Sequence, residues 1–183
     1  WIGSDTSTQS IVLHCFKSNS GFVSSSGIND QGSTSITIAN NHIGGIAMDI
    51  QNTGSSGTVS LCGINAYLGG GNIHDNFIGA PGIPNSLEAN YVDQDMEIFG
   101  ISLESGAYSV TSNRISRMSN AAGIISGILF SYGANSGNSL TSKHNYISDL
   151  QVPDGAGSGA DVAGINLAAN AAQAQMALNM EWD

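Results

Sequence analysis

Basic residues are almost missing from this chain. Lys17, Arg114, Arg117 and Lys143 are the only four in 183 residues, against fourteen acidic ones, for a formal charge of −10 at pH 7. A surface so poor in cations cannot neutralise phosphates, which excludes nucleic acid as a partner. An anionic membrane surface would repel it for the same reason. All charged residues together make up 10% of the chain, well below the roughly 25% usual in globular domains. Ser, Thr, Asn and Gly must therefore cover the surface.

Long apolar runs are also missing; none approaches the roughly 18 residues that a membrane-spanning helix needs, so direct membrane insertion is not expected. Cysteine is scarce, and Cys15 and Cys62 alone do not make a disulfide framework. Cys62 sits in an apolar frame just before Gly63-Ile64, which suits a buried free thiol. No uninterrupted helix-period face occurs between residues 27 and 165, where glycine and serine dominate, and this excludes a helical solenoid. The chain opens on Trp1 with no charged-then-apolar leader, which we read as a piece of a longer protein.

What the chain does have is a repeat. Its clearest copy is Tyr108 to Met118, where Asn113 is followed two residues later by Ile115 and five later by Met118. Apolar residues also stand three and five places before the asparagine. The frame recurs around Asn41 (Ile36 to Ile46), Asn76 (Gly71 to Pro81) and Asn145 (Leu140 to Leu150, with Ser142 weakening one slot). The asparagines are 35, 37 and 32 residues apart, in the range that marks solenoids and arrays.

A second marker runs beside the first. Gly27-Ile28, Gly63-Ile64, Gly100-Ile101, Gly127-Ile128 and Gly164-Ile165 are expected to open short strands rich in Ile, Val and Tyr. The order is constant: Gly-Ile strand, small turn, asparagine-bearing strand, variable loop. A sandwich or barrel does not require that constancy, whereas a parallel β-solenoid does. Its coils stack at about 4.8 Å, so equivalent side chains form columns.

The predicted fold is thus all-β: a right-handed parallel β-helix of about five coils over 27–167, with long loops on one edge. Residues 1–26 are an irregular start or a partial preceding coil. Residues 168–183, alanine-rich, form either a short capping helix or a truncated coil in which Asn179 follows Asn145. Ile43, Ile78, Ile115 and Ile147 should form an inner column, with His42, Phe77, Arg114 and Tyr146 facing outward. Asn41, Asn76, Asn113 and Asn145 should turn one strand into the next, using the left-handed conformation asparagine tolerates, while their amides bond along the stack.

The order of a Gly-Ile strand followed by φ-x-φ-x-x-Asn-x-Ile-x-x-φ resembles right-handed parallel β-helix repeats. It most resembles the long Ser/Thr/Gly/Asn-rich repeat proteins that bacteria with type IX secretion export to their surface. The resemblance covers residues 27 to about 167 and implies an extracellular stalk, adhesin or filament subunit.

The joining segments Ala47–Cys62, Gly82–Phe99, Ser119–Ser126 and Gln151–Ala163 should crowd one edge and offer a contact surface for glycans or surface proteins. Asp49, Glu88, Asp93, Asp95, Glu97, Asp154 and Asp161 lie within them. If Asp93 to Glu97 is extended, Asp93, Asp95 and Glu97 alternate onto one face, where they can hold Ca²⁺ or simply be a solvated acidic loop.

The same loop carboxylates could serve a polysaccharide-cutting enzyme. The Asn-Thr-Asp, Asp-Asp, Gly-His-Gly and Arg-Ile-Lys set of β-helix pectinases does not occur, so no catalytic residue is assigned. His14, His42, His74 and His144 share no metal-ligand spacing, and no other cofactor is indicated. Coils with unequal ends can also associate end to end.

Overall fold

The computed structural model describes residues 2–3, 11–17, 23–32, 34–52, 58–90, 96–132, 137–152, 161–169 and 178–179. They form a parallel β-solenoid with three sheets, and every strand pairing between coils is parallel. A first, partial coil contributes β1 (Ile2–Gly3) and β2 (Ile11–Lys17). The next coil holds β3 (Val23–Gln31), β4 (Ile36–Ala39), β5 (His42–Gly44) and β6 (Ile46–Asn52). Above it lie β7 (Val59–Tyr67), β8 (Gly70–His74), β9 (Phe77–Ile78) and β10 (Leu87–Ala89). Then follow β11 (Met96–Glu104), β12 (Ala107–Thr111) and β13 (Arg114–Asn120). The last elements are β14 (Ile124–Tyr132), β15 (Ser139–Lys143), β16 (Tyr146–Gln151), β17 (Asp161–Ala169) and β18 (Leu178–Asn179).

Strands of the Gly-Ile type stack as one sheet, β3-β7-β11-β14-β17, called here the glycine sheet. The strands that precede the asparagines stack as a second, β4-β8-β12-β15-β18. The strands that follow them, with β1 and β2, make the third, called here the isoleucine sheet. The closed, core-bearing part amounts to about three turns rather than the five expected. End strands have a neighbour on one side only, so β16 and β17 carry half-buried or exposed residues where interior strands are buried.

Across the core the two sequence markers meet. Ile43, Ile78, Ile115 and the half-buried Ile147 form the inner column. A Cβ on Gly27, Gly63, Gly100 or Gly127 would lie 2.7, 2.7, 2.4 and 2.6 Å from Cγ2 of those four isoleucines in turn. The glycines do not open the strands, as expected from sequence, but sit in the middle of nine-residue strands. Inward residues recur every second place until the glycine and then skip to the third, as in Leu61 to Ile64 and Ile98 to Ile101. A glycine inside a strand marks such a break or a close approach, and here it marks both.

The asparagine column is a hydrogen-bonded ladder. Asn76 Oδ1 accepts from Asn41 N and Nδ2 at 3.0 and 3.1 Å. Asn113 Oδ1 accepts likewise from Asn76, at 3.1 and 2.9 Å, and Asn145 Oδ1 from Asn113, at 3.0 and 2.9 Å. Each amide nitrogen also reaches back to the carbonyl of the coil before: Asn76 to Ile38, Asn113 to Ile73, Asn145 to Val110. Ser142, the weak slot, repays its place by accepting from Asn145 Nδ2 at 3.0 Å.

The left-handed bend falls one residue earlier than expected, on Asn40, Asp75, Ser112 and His144, with φ between 53° and 58°. The ladder asparagine spends its amide along the axis, so the residue before it makes the turn. Asn179 does not extend the ladder, because it pairs with Thr141 while Leu178 takes the place of Leu140. There is no helix among the described residues, and Met176 lies outside them.

Pro81 leaves the apolar slot expected of it and is exposed. Residues 79–86 form an excursion out of the isoleucine sheet, and Leu87 fills the slot between Ile46 and Met118. Ser86, fully buried, closes the excursion: its Oγ accepts from Gly45 N at 2.9 Å and Ala80 N at 2.7 Å.

Candidate functional site

Of the segments expected to form a loop edge, residues 53–57, 91–95 and 153–160 lie outside the described residues, and much of the remainder is strand. Asp49 lies in β6, Glu88 in β10, Glu97 in β11 and Asp161 in β17, so these carboxylates do not gather in loops. Asp93, Asp95 and Asp154 lie outside the described residues. Glu97 is half-buried, paired in register with Ser60 and Ile124. Among the described residues no three His, Cys, Asp or Glu side chains come together as a metal-binding group. His14 instead meets Asp49 at 3.1 Å and His74 meets Asp75 at 2.7 Å, both at the surface.

Cys62 is a buried free thiol. Burial pushes its pKa up to about 12, with the charge of Glu97 adding to the rise and hydrogen bonds to Ser26 and Ser60 opposing it. A thiol held in that form is not a nucleophile at neutral pH.

The outward residues beside the isoleucine column stack on one another, a feature that free variation at those places concealed. His42 and Phe77 are stacked with centroids 5.6 Å apart. The Arg114 guanidinium lies 5.1 Å from the Phe77 ring and 5.3 Å from the Tyr146 ring. Arg114 thus lies between the two rings in the stack. The stack runs along the axis and ties the outer faces of neighbouring coils together.

A hollow of about 400 Å³ lies on another part of the surface, at the corner where the glycine sheet passes to the asparagine-preceding strands. Three coils contribute to it below, at and above its floor: Thr34 and Ser35, Gly69 to Asn72, and Ala107 to Ser109, with Ser139 beyond. Its origin is local. Leu68, Gly69, Gly70 and Gly71 all have positive φ (69°, 106°, 120° and 146°), and a Cβ on Gly70 or Gly71 would run into the Ala107 or Ile36 carbonyl at 2.4 or 2.2 Å. Only glycine fits against the neighbouring coils there, and residues 69–71 put no side chain on the outer side of the corner.

The polar groups around the gap are neutral: the hydroxyls of Thr34, Ser35, Ser109 and Ser139, and the amide of Asn72. Tyr108 borders it as well. Its ring is buried edge-on to Phe130, and its hydroxyl donates to the Ala66 carbonyl at 3.4 Å. The chain enters the hollow through Tyr67 and Leu68, 41% and 45% exposed. Tyr67 hydrogen-bonds the carboxyl of Glu104, whose pKa is raised by burial and held back by that bond.

Compared with protein-family models, with curated proteins and with solved structures, the chain matches none. The fold alone defines the class, a parallel β-solenoid.

Proposed function

We propose that this chain is a non-catalytic segment of an exported bacterial surface protein, a stalk, adhesin or filament subunit, that touches glycans at the Tyr67–Asn72 corner. The observation that carries this reading is the lining of the hollow: hydroxyls, an amide and glycine backbone, with no carboxylate, histidine or cysteine among the described residues that line it. Uncharged sugars match such a lining through many weak hydrogen bonds, and an exposed tyrosine beside it supplies the apolar contact that sugar faces use. The low charge and Ser/Thr/Asn/Gly surface also suit the Ser/Thr-rich exported repeat proteins that the sequence resembles.

The raised pKa of Glu104 favours a second reading, a polysaccharide-cleaving enzyme with Glu104 as acid. Glycoside hydrolysis needs a pair of carboxyl groups about 5–9.5 Å apart across the bond. Among the described residues lining the hollow there is no such pair, and binding is the reading we prefer.

Titration of neutral oligosaccharides, followed by calorimetry or amide NMR shifts, tests both. Shifts centred on Asn72 and Ser109, weakened about tenfold by Tyr67→Ala, support the adhesive reading. New reducing ends, lost in Glu104→Gln, would establish the enzyme instead. Absence of any shift would remove the glycan contact.

A further inference from the structure

The hollow runs along the axis of the solenoid. Ala107 pairs with Gly70 in the coil before it and with Ser139 in the coil after it. Ser35 directly precedes Ile36, the partner of Gly71, and so stands beside Gly70. Ser35, Gly70, Ala107 and Ser139 therefore follow one another through four successive coils, and all four line the hollow. Three steps of about 4.8 Å make that line about 14 Å long.

Its middle is nearly free of side chains, a buried glycine followed by an exposed methyl. Two residues farther along the same strands, Thr37, Asn72, Ser109 and Thr141 form a second line in the same register. They face outward, because their neighbours Ile38, Ile73 and Val110 are buried in the core. Each of the four coils thus offers one hydroxyl or amide at an equivalent place, and neither line contains a charged side chain. The volume of about 400 Å³ is near the low end for small-ligand sites, about 300–1,000 Å³. Spread over four coils, it is a trough and not a deep pocket.

We propose that this trough takes a linear, uncharged polysaccharide laid along the axis, one sugar ring to a coil. This rests on the glycan contact proposed above and narrows it to one class of chain. An extended glycan whose rings are joined through equatorial bonds advances by about the height of one coil per ring. Successive rings therefore meet the same kind of group, first over the glycine and methyl floor and then beside the hydroxyl and amide line. A chain with axial linkages curls and leaves the line. Repeated carboxylates on the ligand would work against a protein of net charge −10. Tyr67 gives an apolar edge in one coil only, so affinity comes from the number of rings engaged.

Amide NMR titration of the chain with cello-, xylo-, manno- and chito-oligosaccharides of one to four rings, and with malto-oligosaccharides of the same lengths, tests this. In at least one of the extended series affinity should rise about fivefold with each added ring, as one or two net hydrogen bonds per ring imply. The curled malto series should gain little beyond the first ring. Ser139→Ala and Ser35→Ala, at opposite ends of the line, should melt like the parent and each weaken the best tetrasaccharide by about fivefold. Equal affinity for one ring and for four, or for malto- and extended tetramers, would overturn the trough while leaving the glycan contact in place. Tetrasaccharide binding untouched by both serine variants would also overturn it. No shift with any sugar removes the glycan contact and the trough together.

Discussion

Gly100 and Ile115 face each other across the core with no space for a methyl group between them: a Cβ on Gly100 would lie 2.4 Å from Ile115 Cγ2 and 2.6 Å from the Gly127 carbonyl. The contact joins the two repeating residues of the chain, one from each marker. It explains why they repeat together, since either without the other leaves a clash or a void.

Gly100→Ala should therefore destabilise the protein by about 3 kcal/mol, the upper end of what overpacking costs. The same change at Gly164, exposed and without close neighbours, should cost nothing or add about 0.5 kcal/mol by restricting the unfolded chain. Urea unfolding of the two variants measures the difference. Equal effects at both positions would mean that the glycine column is not a steric requirement.

The ladder predicts a gradient. Asn113 is buried; its oxygen accepts twice from Asn76, and its nitrogen serves the Ile73 and Thr111 carbonyls and Asn145. Asn113→Ala strands several of these partners in the interior and should cost about 3 kcal/mol or more. Asn41, at the end of the ladder and half-buried, donates to Ala39 and Asn76 and should cost about 1 kcal/mol when changed to alanine. Chemical denaturation of both variants decides the matter, and a larger loss at Asn41 would contradict the arrangement.

Cys62 makes stability fall in alkali. Its folded pKa of about 12 lies above the ordinary thiol value of 9.0, so between these limits the unfolded chain has given up a proton that the folded one retains. The stabilisation is complete below pH 9.0 and is lost as pH rises toward about 12, at no more than about 1.4 kcal/mol per pH unit. Comparing the parent with Cys62→Ala in unfolding curves from pH 8 upward isolates the thiol, because only the parent should show that added slope. At pH 8 the native thiol should also resist a disulfide reagent that labels it readily once unfolded.

Much of the fold was legible in the chain because stacking repeats a demand. Each coil meets the same neighbours, so Ile115 has counterparts at Ile43, Ile78 and Ile147, and four columns could be aligned without a structure. What was not legible comes from single residues with no counterpart. Ser86 ties back the 79–86 excursion through one buried hydroxyl, and with it the apolar slot passes from Pro81 to Leu87. Asparagine's own preference pointed to Asn113 as the left-handed residue, but its amide is held along the axis and Ser112 bends instead. The hollow escaped for a different reason. Gly71 stands at the start of the repeat frame and Gly69 and Gly70 carry no marker of their own, so the shape exists only when the coils on either side are in place.

The asparagine ladder also gives the molecule a direction. Every amide oxygen from Asn76 to Asn145 accepts from the preceding coil, so the side-chain dipoles add instead of cancelling. A neighbour arriving in the same sense continues the series. One arriving upside down would set acceptor against acceptor or donor against donor. The ladder thus gives the shaft an electrostatic polarity along its axis, so its two ends are chemically unlike.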